Sequence, residues 1–400
     1  MTAFATTFGI ALLAAVLLSR LSARSPLSTS GIFLLAGLVA GPLVLDADHL
    51  SAEVVREIAS VTLFAVLFSD GQRAPFSDLR RQWHDPARAL LIGMPLTFAV
   101  VSLLAHLLIG LDWTTAMLIG AILAPTDPVF AAALVGRDDV PARLRSLLNI
   151  ESGLNDGIAL PVVLVLVGTL GGEISGESTS LGPLVLEIAV GVVVGVAVPV
   201  AAAGLVRLPV LGVTDRAATV GPLAVAVLLY VLAETIHANP FIAAFVAGIT
   251  TATVSPRASE AFAPVGELVS ELSKNGALLA FGALITAELL GSVGVVGWVF
   301  AALVLLVGRP LPVMVALAGS RLPRRERLSA AWFGPKGFAS VAYGLLVLSS
   351  GIEGADQVLA LVAVTVVLSI AAHSATDTPV AMMLHEQPDP DPYTGARPDG

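Results

Sequence analysis

The chain has 400 residues, 56% of them hydrophobic and 13% charged, with a mean hydropathy of +0.90 and a formal net charge of -9. This composition excludes a soluble globular protein and marks a polytopic membrane protein. With no cysteine and only six histidines, disulfides and thiolate metal sites are excluded, any bound ion should be a hard one held by oxygen, and no basic arm points to nucleic acid.

Apolar runs of roughly 17 to 25 residues, the length that crosses a bilayer, divide the chain into about 13 spans. Their approximate bounds are 3–19, 27–45, 55–70, 87–109, 113–136, 147–170, 181–205, 217–235, 239–253, 265–287, 292–318, 328–349 and 357–381. The first lacks a basic n-region and a small-residue cleavage site, so it reads as a retained span. Loops after odd-numbered spans carry the arginines: Arg20 and Arg24; Arg73, Arg80, Arg81 and Arg88; Arg137, Arg143 and Arg145; Arg207 and Arg216; Arg257; and the group from Arg321 to Arg327. Loops after even-numbered spans hold Arg56 beside acids such as Asp46, Asp48, Asp112, Glu173, Glu288 and Glu353. The positive-inside bias then predicts an outside N-terminus, a cytoplasmic C-terminus and an odd number of crossings of the cell membrane.

Residues 1–385 form one transmembrane unit, and the Pro-, Asp- and Gly-rich stretch 386–400 reads as a disordered cytoplasmic tail. Lipid offers no partners to backbone groups, so the fold class is all-α.

Two spans carry breaks. Span 5 contains Ala124-Pro125-Thr126-Asp127-Pro128, and span 12 contains Gly334-Pro335-Lys336-Gly337. Proline removes a backbone donor and clashes with the preceding turn, so each span should be interrupted there. The broken spans are seven apart and must run in opposite directions, which is the relation of inverted repeats: spans 1–6 and 8–13, with span 7 as the link.

Span 6 opens with Ile150-Glu151-Ser152-Gly153-Leu154-Asn155-Asp156-Gly157. At helical spacing Ser152, Asn155 and Asp156 lie about 100°, 40° and 140° from Glu151, all on one side of the cylinder. Ionisable groups at such a position are costly and functional by default.

With the paired motifs on spans 5 and 6, Arg309 in span 11 and Gly334-Pro335-Lys336-Gly337 in span 12, the chain resembles the NhaP/NHE-type branch of the monovalent cation:proton antiporters over roughly residues 3–381. The resemblance implies a homodimeric secondary antiporter active in sodium transport and pH homeostasis, with a core of spans 4–6 and 11–13 and a dimerisation unit of spans 1–3 and 7–10. It implies no cofactor; Na+, or K+ or Li+, and H+ are the transported partners. It also places the ion site at the Asn155-Asp156 pair, with Asp156 carrying either cation or proton.

Physical reasoning runs the same way. Burial disfavours the charged form of a carboxylate, so proton exchange can occur where a solvated acid would stay ionised. Moving a bare charge through the barrier costs about 2.5 to 3.5 kcal/mol, a suppression of roughly two orders of magnitude, so only loaded forms cross. Ser152 and the backbone or hydroxyl of Thr126 are oxygen ligands for the cation, and Asn155 orients or neutralises a neighbour. Glu151 is either a second ligand or the partner of Arg309 or another cation. Asp127 and Lys336 offset the helix dipoles at the two breaks; the family more often has arginine at the latter position. Asparagine before Asp156, in place of a second acid, points to electroneutral exchange of one proton for one cation.

Rival classes fit less well. A channel should show a continuous polar pore or a carbonyl filter, a K+-selective exchanger remains open, and no HExxH or other catalytic set marks an enzyme. Asp70 reads as a solvated helix end, Lys274 with Glu267 and Glu271 as a solvated face ahead of a cytoplasmic entry or pH-responsive cluster, His106 as a core or interface residue without a visible partner, and Glu187 as exposed.

Overall fold

A computed structural model describes residues 2–22, 29–45, 51–73, 84–127, 140–174, 177–178, 181–208 and 214–385. The chain runs through α1 (Thr2–Ser22), α2 (Thr29–Ala40) and α3 (Ala52–Gln72). Next come α4 (His84–Ile109), α5 (Trp113–Leu123) and α6 (Ala142–Thr169). A two-residue hairpin, Glu173–Ile174 with Glu177–Ser178, leads into α7 (Leu181–Val206), the turn α8 (Asp215–Ala218), α9 (Gly221–Thr235) and α10 (Pro240–Val254). The last part holds α11 (Pro256–Leu284), the turn α12 (Ala287–Ser292), α13 (Gly294–Ala316), α14 (Arg324–Trp332), α15 (Phe338–Ser349) and α16 (Ala355–His385).

Local sequence explains many of the boundaries. Asp112 caps α5 by accepting from the amides of Thr114 and Thr115, and Asn239 caps α10 through Ile242. Proline occupies the first position of α10 and α11, where its missing amide costs nothing. Gly110 ends α4 in the left-handed region at φ 80°. Within α4 and α13 the helix widens into π-type turns at Ala89–Gly93, Ala105–Ile109 and Val304–Gly308, the last directly before Arg309.

Among the described residues, six helices are long and apolar enough to cross a membrane: α1, α4, α6, α7, α13 and α16. The shorter apolar helices α2, α5, α9, α10 and α15 lie within other sequence-defined spans. Large apolar side chains such as Leu17, Val193 and Val295 point outward, whereas Glu151, Asp156, Arg309 and Lys336 point inward. A fold with this inside-out polarity suits hydrocarbon surroundings. Span 10 starts earlier than expected, because α11 begins at Pro256 and not near residue 265.

The helices pack largely as two sets, joined where α3 and α11 meet α15. In one, α2 and α3 lie against α11 and α10, with α7 against α10; in the other, α5 packs on α4 and α6, and α16 packs on α13 and α15. The first set is joined by two glycine crossings. A Cβ on Gly37 would stand 3.0 Å from the Cα of Gly282 and would also strike the Leu279 carbonyl. A Cβ on Gly248 would stand 3.0 Å from the Cα of Gly71 and would strike the Phe68 carbonyl. Gly37 and Gly248, and likewise Gly71 and Gly282, are 211 positions apart (248 less 37, 282 less 71), as are Phe68 and Leu279. The α2–α11 crossing is therefore the α10–α3 crossing repeated at one constant offset. This pairs span 2 with span 9 and span 3 with span 10, the correspondence expected of repeats 1–6 and 8–13.

Candidate functional site

The helix of span 5 stops at Leu123, and residues 125–127 are non-helical. The remainder of that span, including Pro128 and Val129, lies outside the described residues, as do Arg24, Asp46, Asp48, Arg80, Arg81, Arg137 and the 386–400 tail. In span 12 the break is complete: α14 ends at Trp332, residues 333–337 are non-helical, and α15 starts at Phe338.

The two breaks cross and satisfy each other. The Asp127 amide donates to the Pro335 carbonyl at 3.0 Å, and Asp127 Oδ2 accepts from the Phe338 amide at 2.9 Å. An anion thus caps the N-terminus of α15. In return Lys336 Nζ donates to the carbonyls of Ala124 and Pro125, each at 3.3 Å, and Ser340 Oγ donates to Ile122 O at 2.8 Å. A cation and a hydroxyl thus take up carbonyls left by the end of α5. Both charges lie at the helix end that favours them. Lys336 is fully buried, and its own amide donates to Ser369 Oγ at 2.8 Å.

α6 presents its polar face to this crossing. Ser152 Oγ donates to the Thr126 carbonyl at 2.6 Å, and Asn155 Nδ2 reaches the same carbonyl at 3.2 Å and Thr126 Oγ1 at 2.9 Å. Thr126, Ser152 and Asn155 thus form one buried hydrogen-bonded group, and Asp156, the next residue along α6, is buried as well. Tyr343 donates its hydroxyl to the Asp156 backbone carbonyl at 2.6 Å, tying α6 to α15. Among the described residues, Asn155 Oδ1 and Asp156 Oδ1 are buried oxygens without a hydrogen-bond donor. Such acceptors are costly unless something positive meets them.

Glu151 is engaged elsewhere. Its two oxygens receive Arg309 Nη1 at 2.6 Å and Nη2 at 3.2 Å, and both side chains are almost wholly buried. Of the two alternatives that the sequence left open, the geometry makes Glu151 the counter-ion of Arg309. The guanidinium also lies against Gly334, where a Cβ would collide with it.

Four expectations are corrected. Lys274 is not on a solvated face: it is 8% exposed, and its ammonium sits 5.6 Å over the Phe338 ring. Asp70 is not a solvated helix end, being 5% exposed and 3.7 Å from Arg73. His106 has partners, since it stacks on Trp113 at 4.1 Å and meets the Leu111 carbonyl at 2.7 Å. Glu187, expected to be exposed, is half-buried. Asp70, Asp127 and Lys274 all stand within electrostatic range of Asp156.

One signal in the sequence could have located Lys274. Phe262, Gly266, Ser270, Lys274 and Leu278 recur at four-residue steps and are all buried, while Glu267 and Glu271 lie on the other side of the helix. Tyr343, Ser340 and Ser369 sit in apolar helices where the sequence alone offers no mark.

Comparison with known proteins gives the family. The profile of a family described as "Sodium/hydrogen exchanger, transmembrane" matches residues 8–382. A protein named K(+)/H(+) antiporter NhaP2 from Shewanella baltica (strain OS223) is 24% identical over 389 residues, which cover 96% of this chain and 67% of that protein. A Na(+)/H(+) antiporter of Saccharomyces cerevisiae (strain ATCC 204508 / S288c) is 31% identical over 147 residues, 34% of this chain and 14% of that one. The solved sodium proton antiporter MjNhaP1 from Methanocaldococcus jannaschii at pH 8 shares the fold, with a TM-score of 0.79 at 20% identity over 96% of this chain and 99% of that chain. The chain belongs to the transmembrane sodium/hydrogen exchanger family and is a multi-pass cation/proton antiporter.

Proposed function

We propose that the protein exchanges one monovalent cation for one proton at Asp156, with the carboxylate loaded by one or the other in every crossing. The observation that carries this is the pair of buried oxygens, Asp156 Oδ1 and Asn155 Oδ1, left without donors beside the unwound stretch of span 5. Thr126 and Ser152 supply further oxygens within the same group, and Glu151, held by Arg309, acts as support. With Glu151 neutralised, Asp127 capping α15 and asparagine at 155, Asp156 is left to take the cargo, which favours an electroneutral cycle. Relatives named for K+ and for Na+ bring both cations into consideration as cargo.

The two packing sets support a division into a moving core, spans 4–6 and 11–13, and a dimerisation unit, spans 1–3 and 7–10. In this reading the protein works as a homodimer in the cell membrane, with its N-terminus outside and its C-terminus cytoplasmic. The constant offset between the glycine crossings supports alternating access by rocking of inverted repeats.

The test is proton movement in proteoliposomes driven by Na+, K+ or Li+ gradients with the membrane voltage clamped or free. Exchange that ignores voltage supports the electroneutral cycle, and a rate that follows voltage rejects it. Asp156→Asn should abolish exchange in folded protein, and persistent exchange would remove Asp156 from its role.

A further inference from the structure

Lys274 takes no part in the cycle described so far, yet it is a charged side chain held inside the protein. It projects from the buried stripe of α11 toward the break of span 12, where its ammonium lies 5.6 Å from the centroid of Phe338. The Phe338 amide in turn donates to Asp127. A cation at the first residue of a helix opposes the dipole of that helix, so it needs negative charge nearby. Asp70 at the end of α3, Asp127 and Asp156 provide it, while Arg73 adds a like charge from the exposed side. Among the described residues Lys274 forms no direct ion pair. Its charge is thus shared by three carboxylates and held off each of them. The Glu151–Arg309 pair is internally neutral, and Lys336 is turned to the α5 carbonyls.

We infer that Lys274 is a tethered counter-cation of the ion site, which opposes both the transported cation and the proton at Asp156 and so sets the affinity for each. The inference rests on Asp156 being their shared binding group. Lys274 acts through Asp156 and is a positioning residue for charge, not a ligand. It belongs to the packing set of α2, α3 and α11, whereas Asp156 belongs to the other set. A rigid shift between the sets would change the distance between them, and with it the counter-charge felt on each side of the membrane.

Both competitors are positive, which gives the test a distinctive shape. Removing the lysine charge should strengthen cation and proton binding by the same factor, on the order of tenfold for one charge acting through protein interior without direct contact. In proteoliposomes containing Lys274→Gln, the half-saturating Na+ or K+ concentration should fall about tenfold on the alkaline side. On the acid side, where the proton competes, the two gains cancel and the curve should rejoin that of the wild type. The pH at which proton competition sets in should therefore move up by about one unit.

Lys274→Arg keeps the charge and should follow the wild-type curve. Lys274→Met takes the place of Lys274→Gln if the latter is not recovered folded. A folded, charge-free variant whose curve superimposes on the wild type at every pH, or is displaced by a constant factor at every pH, overturns the inference. So does failure of both charge-free variants to fold while Lys274→Arg folds, since the charge would then be structural. Wild-type exchange and its loss in Asp156→Asn, measured alongside, separate failure of this inference from failure of the exchange cycle itself.

Discussion

Glu151 and Arg309 allow the support role and the ligand role to be told apart. Their side chains are 4% and 5% exposed, and two contacts of 2.6 and 3.2 Å join them. Removing one member of such a pair leaves a charge in a dry interior, at about 3–5 kcal/mol. Glu151→Gln and Arg309→Met should each cost an amount in that range. Replacing both with apolar residues of similar volume removes the stranded charge, so Glu151→Leu with Arg309→Met should cost about 1 kcal/mol or less. The coupling between the two sites should then exceed about 3 kcal/mol, far above the few tenths found for independent positions. Reversible unfolding in mixed micelles, followed by tryptophan fluorescence, gives the four stabilities. The double variant should keep cation-driven proton movement, because the Glu151 oxygens are committed to arginine. Additive losses in the two single variants would refute the pairing, and a stable double variant without exchange would return Glu151 to the ligand set.

Two further perturbations probe the scaffold. Gly37→Ala and Gly248→Ala set a methyl against opposed backbone at equivalent crossings and should each destabilise by about 1–3 kcal/mol and by similar amounts, while Gly9→Ala, with nothing within 4 Å, should be neutral or slightly stabilising; unequal effects at the first two would count against the repeat. Asp112, in the loop before α5, has its carboxyl held below the usual 3.8, first by a side-chain hydrogen bond with Thr115 and then by backbone amides. A lowered value in the folded state means that its contribution is present above pH 3.8 and is lost as pH falls through the folded value. Asp112→Ala should therefore cost about 1 kcal/mol at neutral pH, and the difference from wild type should vanish in acid in a pH series of unfolding midpoints.

What could be read from the sequence follows from what a single residue type forces on its own surroundings. Proline must interrupt a helix wherever it stands, so the breaks around Pro125 and Pro335 were visible without coordinates. Long apolar runs must cross or be buried, so the all-helical membrane class was visible too. Charge is different, because the same lysine is cheap in water and costly in hydrocarbon, and only its neighbours decide which applies. Lys274 shares its helix with Glu267 and Glu271, which made solvent the simple reading. It is buried because Gly37 and Gly282 bring α2 and α11 together, and because Asp70, Asp127 and Asp156, from three distant segments, converge on it. Glu151 and Arg309 stood 158 positions apart with more than one partner open to each, and only the folded chain joined them. Pairing of charge is a tertiary property, and the proposed cycle turns on it. In the proposed cycle the acid that Arg309 pairs with stands outside the contest between cation and proton, whereas Asp156, which no direct ion pair neutralises among the described residues, stays in it.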